Sequence, residues 1–377
     1  MKIGILSLVL NTNYGGILQA YSLQTVLERM GHEVVVLDKE SIVHRSLVRK
    51  FFSFCRFFVK TKILRQEATF VTDKEYNLAK SEREQFTRAF INRYIHTRKV
   101  KNITRDTLMD VDTIIVGSDQ VWRPRYFKKQ WKTEIENAFL KFAANRNILR
   151  IAYAASFGTD EWEYTERETN ECSRLLNTFN AVSAREDSGV EFCKYKLCRS
   201  DAIRALDPTL LLSKIDYVQL VENSEVPISP GNLMCYVLDR TYEIQILIDK
   251  IAKERGLTPF YTNSKITDPS SPQSERIQPP LEGWLRGFMD AEFVVTDSFH
   301  ACIFSIIFGK PFVVVGNKER GMTRFKSLLS IFSSENHLIS SSEEYLSTET
   351  YRVDMDAMKK IEKYRGDSLS FLEESLK

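Results

Sequence analysis

The stretch EFVVTDSFHACIFSIIFGKPFVVVG, from Glu292 to Gly316, predicts a strand, a helix and a second strand without a break. The apolar, β-branched run 292–296 predicts a buried strand. Residues 301–308 predict a helix, and Gly309 ends it. A second apolar run follows, so the stretch predicts a βαβ unit and hence a parallel sheet.

The junction between this strand and its helix predicts an anion site. Asp297 or Ser298 is a good helix cap, and His300 follows directly. Unpaired backbone N–H groups and the helix dipole would face outward there, at the sheet edge where open α/β folds bind ligands. The alternative is that Ser298 only caps the helix and His300 donates to a nearby carbonyl.

The same alternation of strand and helix runs through the rest of the chain. At the N-terminus, a strand at 3–9, a helix at Gly16–Met30 and a strand at 34–37 form another βαβ unit. Further strands are predicted at 113–116, 151–155, 181–184, 233–238 and 258–261. We therefore predict an α/β fold with two Rossmann-like domains facing a cleft, the architecture of twin-domain glycosyltransferases.

Length and composition support two domains. The chain has 377 residues, of which 43% are hydrophobic, and this exceeds one ordinary core. The segment 222–231 is rich in Pro, Ser, Asn and Gly, so we place the boundary there. The predicted domains are 1–221 and 222–377, and we expect the last helix, at 355–376, to pack back on the first domain.

Charge and cysteine content narrow the function classes. With 53 basic and 50 acidic residues the net charge is only +3, which argues against a nucleic-acid partner. The six cysteines form no CxxC pair, and several lie in apolar segments, which is typical of reduced core residues. We expect no metal and no cofactor.

The N-terminal MKIGILSLVL predicts a first strand rather than a leader peptide, and we expect a cytoplasmic protein. Residues 45–65, RSLVRKFFSFCRFFVKTKILR, carry seven basic residues, five phenylalanines and no acid. This insertion suits peripheral contact with an anionic lipid surface at the inner membrane face. The alternative is a helix whose phenylalanine face packs on the domain core.

Two loops of the first domain offer polar groups at strand ends. They contain Asn13, Tyr14, Gly15 and Gly16 in the first loop, and Asp119, Gln120 and Trp122 in the second. Amides, a carboxylate and an aromatic ring suit the hydroxyls and the face of a sugar. The first loop lacks GxGxxG and a P-loop lysine, so a dinucleotide site is not supported. The alternative for the second loop is that Asp119 caps a short helix and Trp122 fills the core.

Cationic side chains follow two other predicted strands. Arg185 ends one strand, where its planar group can hold a carboxylate or phosphate, or can pair with neighbouring acids on the surface. Lys318, Arg320 and Arg324 follow the strand after the His300 helix. A run of solvated charges is the usual explanation, but the place at a strand end favours a ligand.

Seven motifs occur in a fixed order: NYGGILQAYSLQ (13–24), VGSDQVW (116–122), AASFG (154–158), SARED (183–187), LDPTLLL (206–212), VVTDSFHACIFSIIFGKPFVVV (294–315) and MTRFKSLL (322–329). Together they resemble the polysaccharide pyruvyl transferase family, from Ile3 to about Leu329. Ala301 and Cys302 depart from the small residues common in the family, and the 45–65 insertion is peculiar to this chain.

The resemblance implies transfer of a pyruvyl group from phosphoenolpyruvate to two hydroxyls of a sugar, giving a cyclic ketal, in bacterial surface polysaccharide (exopolysaccharide or capsule) synthesis. The fold would be similar to GT-B glycosyltransferases. His300 and Asp119 would be catalytic. Donor-binding residues would be Arg185, Ser298, His300, Asn317, Lys318 and Arg324. Acceptor-binding residues would be Asn13, Tyr14, Gly15, Gly16, Asp119, Gln120 and Trp122.

Two other functions stay open from the sequence. A GT-B glycosyltransferase would use its second domain and Arg324 to hold the diphosphate of a nucleotide sugar. A non-catalytic carbohydrate-binding protein would keep the fold and bind glycans without turnover. If the basic segment touches membrane, the acceptor would be a lipid-linked oligosaccharide.

Overall fold

Two parallel β-sheets flanked by helices form the fold. A computed structural model describes residues 1–40, 42, 47–65, 71–266, 268, 270–316 and 322–377. Its strands are β1 Lys2–Leu6, β2 Glu33–Lys39, β3 Thr97–Val100, β4 Thr113–Val116, β5 Leu149–Ala155, β6 Ala181–Ala184, β7 Ile203–Arg204, β8 Leu233–Tyr236, β9 Pro259–Tyr261, β10 Phe293–Thr296, β11 Phe312–Val315 and β12 Leu338–Ile339.

The α-helices of the described residues alternate with these strands. They are α1 Tyr14–Arg29, α2 Leu47–Phe58, α3 Asp73–Tyr94, α4 Pro124–Trp131, α5 Glu166–Leu176, α6 Asp187–Tyr195, α7 Lys214–Glu222, α8 Tyr242–Arg255, α9 Leu281–Asp290, α10 Phe299–Phe308, α11 Met322–Ile331 and α12 Met355–Ser375. Helix α1 begins two residues before its predicted start, so both glycines of the first loop lie in its first turn.

The strand order fixes where a ligand can bind. The first sheet has the order β3-β2-β1-β4-β5-β6-β7 and the second has β12-β11-β10-β8-β9, with parallel pairing throughout the described strands. This confirms the predicted α/β class. The chain changes direction across the sheet between β1 and β4, and again between β8 and β10, and such switch points open a crevice at the carboxyl edge.

Residues 292–316 fold into the strand, helix and strand that their sequence predicts. Strand β10 is buried, and the Ser298 hydroxyl caps α10 by accepting from the N–H of Ala301 at 3.5 Å. Helix α10 is buried along its whole length, which explains why it is apolar on all sides. Gly309 ends it with a φ of 66°, a left-handed conformation that favours glycine.

The two halves of the chain share contacts. The Tyr14 ring packs against Tyr236 and Trp284, with centroids 6.2 and 5.4 Å away. Helix α12 reaches the first half, because the Ser368 hydroxyl accepts from the N–H of Leu206 at 3.1 Å and Phe371 packs near Tyr153. The strands of the two sheets come from either side of residues 222–231, while the domain boundary itself stays a prediction.

Helix α2 leaves four of its five phenylalanines exposed to solvent. Exposure is 64% for Phe51, 62% for Phe52 and 52% for Phe54, and Phe58 is also exposed. The interpretation in which this face packs on the core is therefore wrong. Among the helices that the structure describes, none combines the length and the apolar character needed to cross a bilayer.

Candidate active site

The two switch points face one another across a cleft of about 310 Å³. The loops after β1 and β4 form one wall, and the ends of β8 and β10 form the other. Lining residues are Leu8, Thr12, Asn13, Gly15, Asp119, Gln120, Tyr126, Gln130, Tyr236, Leu238, Asn263, Ser264, Ile266, Gln278, Trp284, Ser298 and His300. The cleft therefore brings together residues from both halves of the sequence.

Two helix N-termini point into this cleft. Helix α10 begins beside His300 and is capped by Ser298. Helix α1 begins at Tyr14, and its cap residue Asn13 makes no side-chain hydrogen bond to the first turn. The first backbone N–H groups of α1 are thus left for another acceptor, and the dipoles of both helices favour an anion between them.

His300 lies between these two helices and is buried. A Cβ built on Gly15 would lie only 2.0 Å from its Nδ1, so the imidazole packs directly on the first turn of α1. Its Nε2 lies 3.6 Å from Oδ2 of Asp207 and has no hydrogen-bond partner among the described residues. The carbonyl partner proposed as the alternative from sequence is therefore not seen in the described part of the chain.

Asp207 is the centre of a buried polar cluster that the sequence analysis missed. Its Oδ2 accepts from Nη1 of Arg185 at 2.7 Å, and its Oδ1 accepts from the N–H and hydroxyl of Thr209. Burial by itself raises the pKa of Asp207, but contact with His300 and Arg185 outweighs burial and holds the pKa below its ordinary range. Asp207 is thus a carboxylate that contacts both Arg185 and His300.

Arg185 and His300 meet at Asp207, but they do not share an opening. The Arg185 side chain is 2% exposed and lines a neighbouring cavity of about 20 Å³, together with Arg324. Such a cavity holds about one water-sized group. Direct contact between Arg185 and a donor in the larger cleft is therefore not supported by this geometry.

Three arginines and two carboxylates are among the side chains that line the small cavity. The guanidinium carbons of Arg185 and Arg324 lie 4.7 and 5.3 Å from the centroid of the Phe299 ring. Burial and the charge of Arg185 lower the pKa of Arg324 to about 10, whereas the carboxylates around Arg185 outweigh its burial and raise its pKa. The charge of Arg185 is therefore offset by Asp207, Asp119 and Glu186, which lie 2.7, 3.7 and 3.9 Å from its guanidinium.

Asp119 lies on the opposite wall, beside α1. Its backbone adopts a φ of 63°, an uncommon conformation for a residue with a side chain, and it caps no helix because α4 begins only at Pro124. Its Oδ2 lies 3.5 Å from the Asn13 amide, and its Oδ1 lies 3.7 Å from Nη2 of Arg185. The first turn of α1 therefore separates Asp119 from His300.

A family model for polysaccharide pyruvyl transferases matches residues 13–319. The chain belongs to the polysaccharide pyruvyl transferase family. The matched range includes both walls of the cleft, with His300, Asp119 and Asp207. A comparison with curated proteins finds no match.

Some solved structures have a similar chain course at low sequence identity. A UDP-GlcNAc 2-epimerase from Neisseria meningitidis is 11% identical, with a TM-score of 0.49, and 100% of this chain and 99% of that chain are covered. The UGT89C1 protein of Arabidopsis thaliana is also 11% identical, with a TM-score of 0.44 and coverage of 97% and 94%.

Within this family member, two residues expected at the acceptor do not line the cleft. Trp122 is fully buried, stacks on Phe139 at 5.0 Å and donates its indole N–H to the carbonyl of Ala138. Tyr14 is also buried, and its hydroxyl donates to the carbonyl of Pro279 at 2.7 Å. Both are core residues, because their polar atoms have partners away from the cleft.

The remaining predicted residues divide into three groups. Asn13, Gly15, Asp119, Gln120, Ser298 and His300 line the cleft, and Gly16 adjoins Asp119 at 3.5 Å as measured from a built Cβ. Arg185 and Arg324 lie in the adjacent cavity. Asn317, Lys318 and Arg320 lie outside the described residues.

Glu186 is a second buried acid that the sequence analysis did not select. Its Oε1 accepts from the Ser156 hydroxyl and from the N–H groups of Phe157 and Gly158, at 2.8 to 3.0 Å. It fixes the AASFG loop beside Gln120, whose side chain approaches Gly158 closely. The motifs SARED and LDPTLLL contain Glu186 and Asp207, so the signal was present although no role was assigned.

Proposed function

We propose that this protein transfers the pyruvyl group of phosphoenolpyruvate to two hydroxyls of one sugar, forming a cyclic ketal, in bacterial surface polysaccharide synthesis. The observation that carries the proposal is the meeting of two helix N-termini at the His300 imidazole, with the Asp119 carboxylate on the facing wall. One side of the cleft suits a phosphorylated carboxylic acid, and the other side suits a hydroxyl.

In the proposed donor site, some residues would contact the phosphate directly and others would act on it from a distance. The phosphate would be held by His300, Ser298 and the first N–H groups of α1 and α10. Arg324 would stabilise the bound anion from behind, because buried positive charge acts strongly over a few ångströms in a low dielectric. Arg185 would act through Asp207, which it holds beside His300. Asp207 would orient the imidazole, since its Oδ2 lies near Nε2.

The reaction makes two C–O bonds and breaks one. C3 of the enol takes a proton, and the first sugar oxygen bonds to C2. The bond from C2 to the bridging phosphate oxygen breaks, and the second sugar oxygen then bonds to C2. Of the two hydroxyl protons, one balances the new methyl group and the other leaves with inorganic phosphate. We assign proton donation to His300 and acceptance of the sugar hydroxyl proton to Asp119.

The proposal is tested by incubating the protein with phosphoenolpyruvate and a panel of free, nucleotide-linked and lipid-linked sugars. We expect release of inorganic phosphate and a product whose mass has increased by one pyruvyl group. Release of a nucleotide from a sugar donor, with phosphoenolpyruvate untouched, would show a glycosyltransferase instead. Glycan binding without any turnover would show a carbohydrate-binding protein.

We further propose that α2 holds the protein at the inner face of the membrane, where a lipid-linked acceptor would lie. Four of its phenylalanines are about half exposed or more, and the 45–65 segment carries seven basic residues and no acid. This combination is typical of a helix that lies in the headgroup region of anionic lipid.

Replacing Phe51 and Phe54 by serine should weaken binding to anionic vesicles by more than about tenfold, because each buried phenylalanine contributes about 1.5 kcal/mol or more. Vesicle flotation measures this effect. A matched control replaces Ile228 and Tyr242, which are 72% and 81% exposed in the second half of the chain. The membrane contact would be refuted if the Phe51 and Phe54 variant floated as well as the unaltered protein. It would also be refuted if the unaltered protein floated equally on anionic and on neutral vesicles.

A further inference from the structure

A second cavity adjoins the cleft on the side of the first sheet. It has a volume of about 510 Å³ and lies where β2, β3, α3 and α4 meet. Gln130 lines both this cavity and the cleft. The loop after β1 also serves both, because Val9 and Asn11 face the cavity while Leu8 and Asn13 face the cleft. The cavity and the cleft are therefore adjacent, with the Gln130 side chain between them.

The cavity wall is cationic. Among its described lining residues, the positive side chains are Lys39, Lys80, Arg88, Lys101 and Lys132, and the negative ones are Glu40 and Glu84. Arg88 is neutralised locally, because it contacts Asp38 at 2.7 Å and Glu84 at 3.4 Å. Lys80 lies 3.8 Å from Glu84. Among the described lining residues, exposed Glu40 is the one acid left to balance Lys39, Lys101 and Lys132.

Lys39 lies close enough to Lys80 and Lys132 to be repelled by both. Burial lowers the pKa of Lys39, and the charges of Lys132 and Lys80 lower it further. Lys39 is held in place because its ammonium donates to the carbonyls of Gln130 and Trp131, at the C-terminus of α4. Lys101 and Lys132 are exposed and form no ion pair within the described residues. A bound anion would relieve this repulsion.

We propose that this cavity binds the phosphate groups through which the acceptor sugar is attached to its carrier. The inference rests on the proposed function, because that function places the sugar in the adjoining cleft. A glycosyl diphosphate has the matching chemistry: hydroxyls at one end, and two or more negative charges at the other. Ile42 also lines the cavity, and α2 begins five residues later in the sequence, at Leu47.

The cavity is tested by equilibrium binding of inorganic pyrophosphate. The measurement is made in a His300→Gln background, which weakens the other expected anion site. Replacing Lys101 and Lys132 by glutamate should weaken pyrophosphate binding by about tenfold or more, since each contributes a charge-assisted contact. The control replaces Lys129 and Lys196, which are exposed and line neither space, so it makes the same change in net charge. It should leave binding within about twofold.

Two results overturn the inference: equal pyrophosphate affinity with and without Lys101 and Lys132, or an equal loss in the control. Binding does not depend on turnover, so a protein that binds pyrophosphate here but ignores phosphoenolpyruvate would retain the cavity and refute the donor chemistry. A protein that transfers the pyruvyl group to a free sugar but does not bind pyrophosphate in this cavity would support the donor chemistry and refute the cavity.

The carrier is identified by comparing UDP with farnesyl diphosphate in detergent micelles. Tighter binding of farnesyl diphosphate, lost when Phe51 and Phe54 become serine, indicates a lipid carrier. Tighter binding of UDP indicates a nucleotide. Whichever of the two ligands binds more tightly, the cavity is upheld as a diphosphate site if replacing Lys101 and Lys132 weakens the binding of both. If neither ligand responds to those lysines, the assignment is wrong.

Discussion

His300→Gln should lower kcat/KM for phosphoenolpyruvate by about a thousandfold or more. A positioned general acid contributes typically 10²–10⁴-fold, and loss of a charged phosphate contact adds to that. Glutamine keeps a polar side chain of similar length beside Gly15 and Asp207, so the buried cluster keeps a hydrogen-bonding group. Release of inorganic phosphate, followed over a range of phosphoenolpyruvate concentrations, measures the effect.

Ser305→Ala is the matched control. Ser305 lies in the same helix and is buried, but its hydroxyl donates to the Ala301 carbonyl within α10 and faces no cleft. It should cost about 1 kcal/mol of stability and leave kcat/KM within a few fold. Urea unfolding shows whether both variants are folded. A folded His300→Gln protein that keeps more than a tenth of its kcat/KM would remove His300 from the catalytic residues.

The convergence of the site could be predicted because it follows from parallel pairing. His300 and Asp119 are far apart in sequence, but each follows a buried strand, and the carboxyl ends of parallel strands share one edge. The strand, cap and helix around Ser298 are also local features, so residues 293–309 predict them directly. The facing of the two sheets then places the two edges at one cleft.

The orientation of the aromatic rings could not be predicted in this way. Tyr14 and Trp122 both follow strands, as the polar candidates do, but their rings enter the core. Which side of a loop a ring takes depends on partners distant in sequence, here Trp284 for Tyr14 and Phe139 for Trp122. Asp207 was missed for a related reason: it lies in the apolar motif LDPTLLL, after the two-residue strand β7, and its partners are known only from the fold.

For helix α2, the spacing of the phenylalanines predicts an apolar face but does not predict what that face contacts. A core-packing helix and a lipid-binding helix have the same periodicity. Only the exposure of the side chains in the fold separates the two kinds of helix, and four of the five phenylalanines of α2 are exposed.

Gly15→Ala should reduce kcat/KM by about a hundredfold, although it adds only one methyl group. The new Cβ would lie 2.0 Å from Nδ1 and 2.2 Å from Cγ of His300, far inside van der Waals contact. The imidazole would have to move by about 1 Å or more, and a displacement of that size at a reacting group costs about 10²-fold. The same phosphate-release assay measures this variant.

Gly16→Ala, one residue further along α1, is the control. Its Cβ would meet the amide nitrogen of Asn13 at 3.2 Å and Oδ2 of Asp119 at 3.5 Å, and the Asn13 side chain is free to shift by a few tenths of an ångström. We expect kcat/KM to change by a few fold only. The double variant Gly15→Ala with His300→Gln tests how the methyl group acts. If the methyl group acts only by displacing the imidazole, Gly15→Ala should cause little further loss of kcat/KM once His300 has been replaced. Multiplication of the two single losses would instead show that Gly15 acts elsewhere, through the free N–H groups of α1.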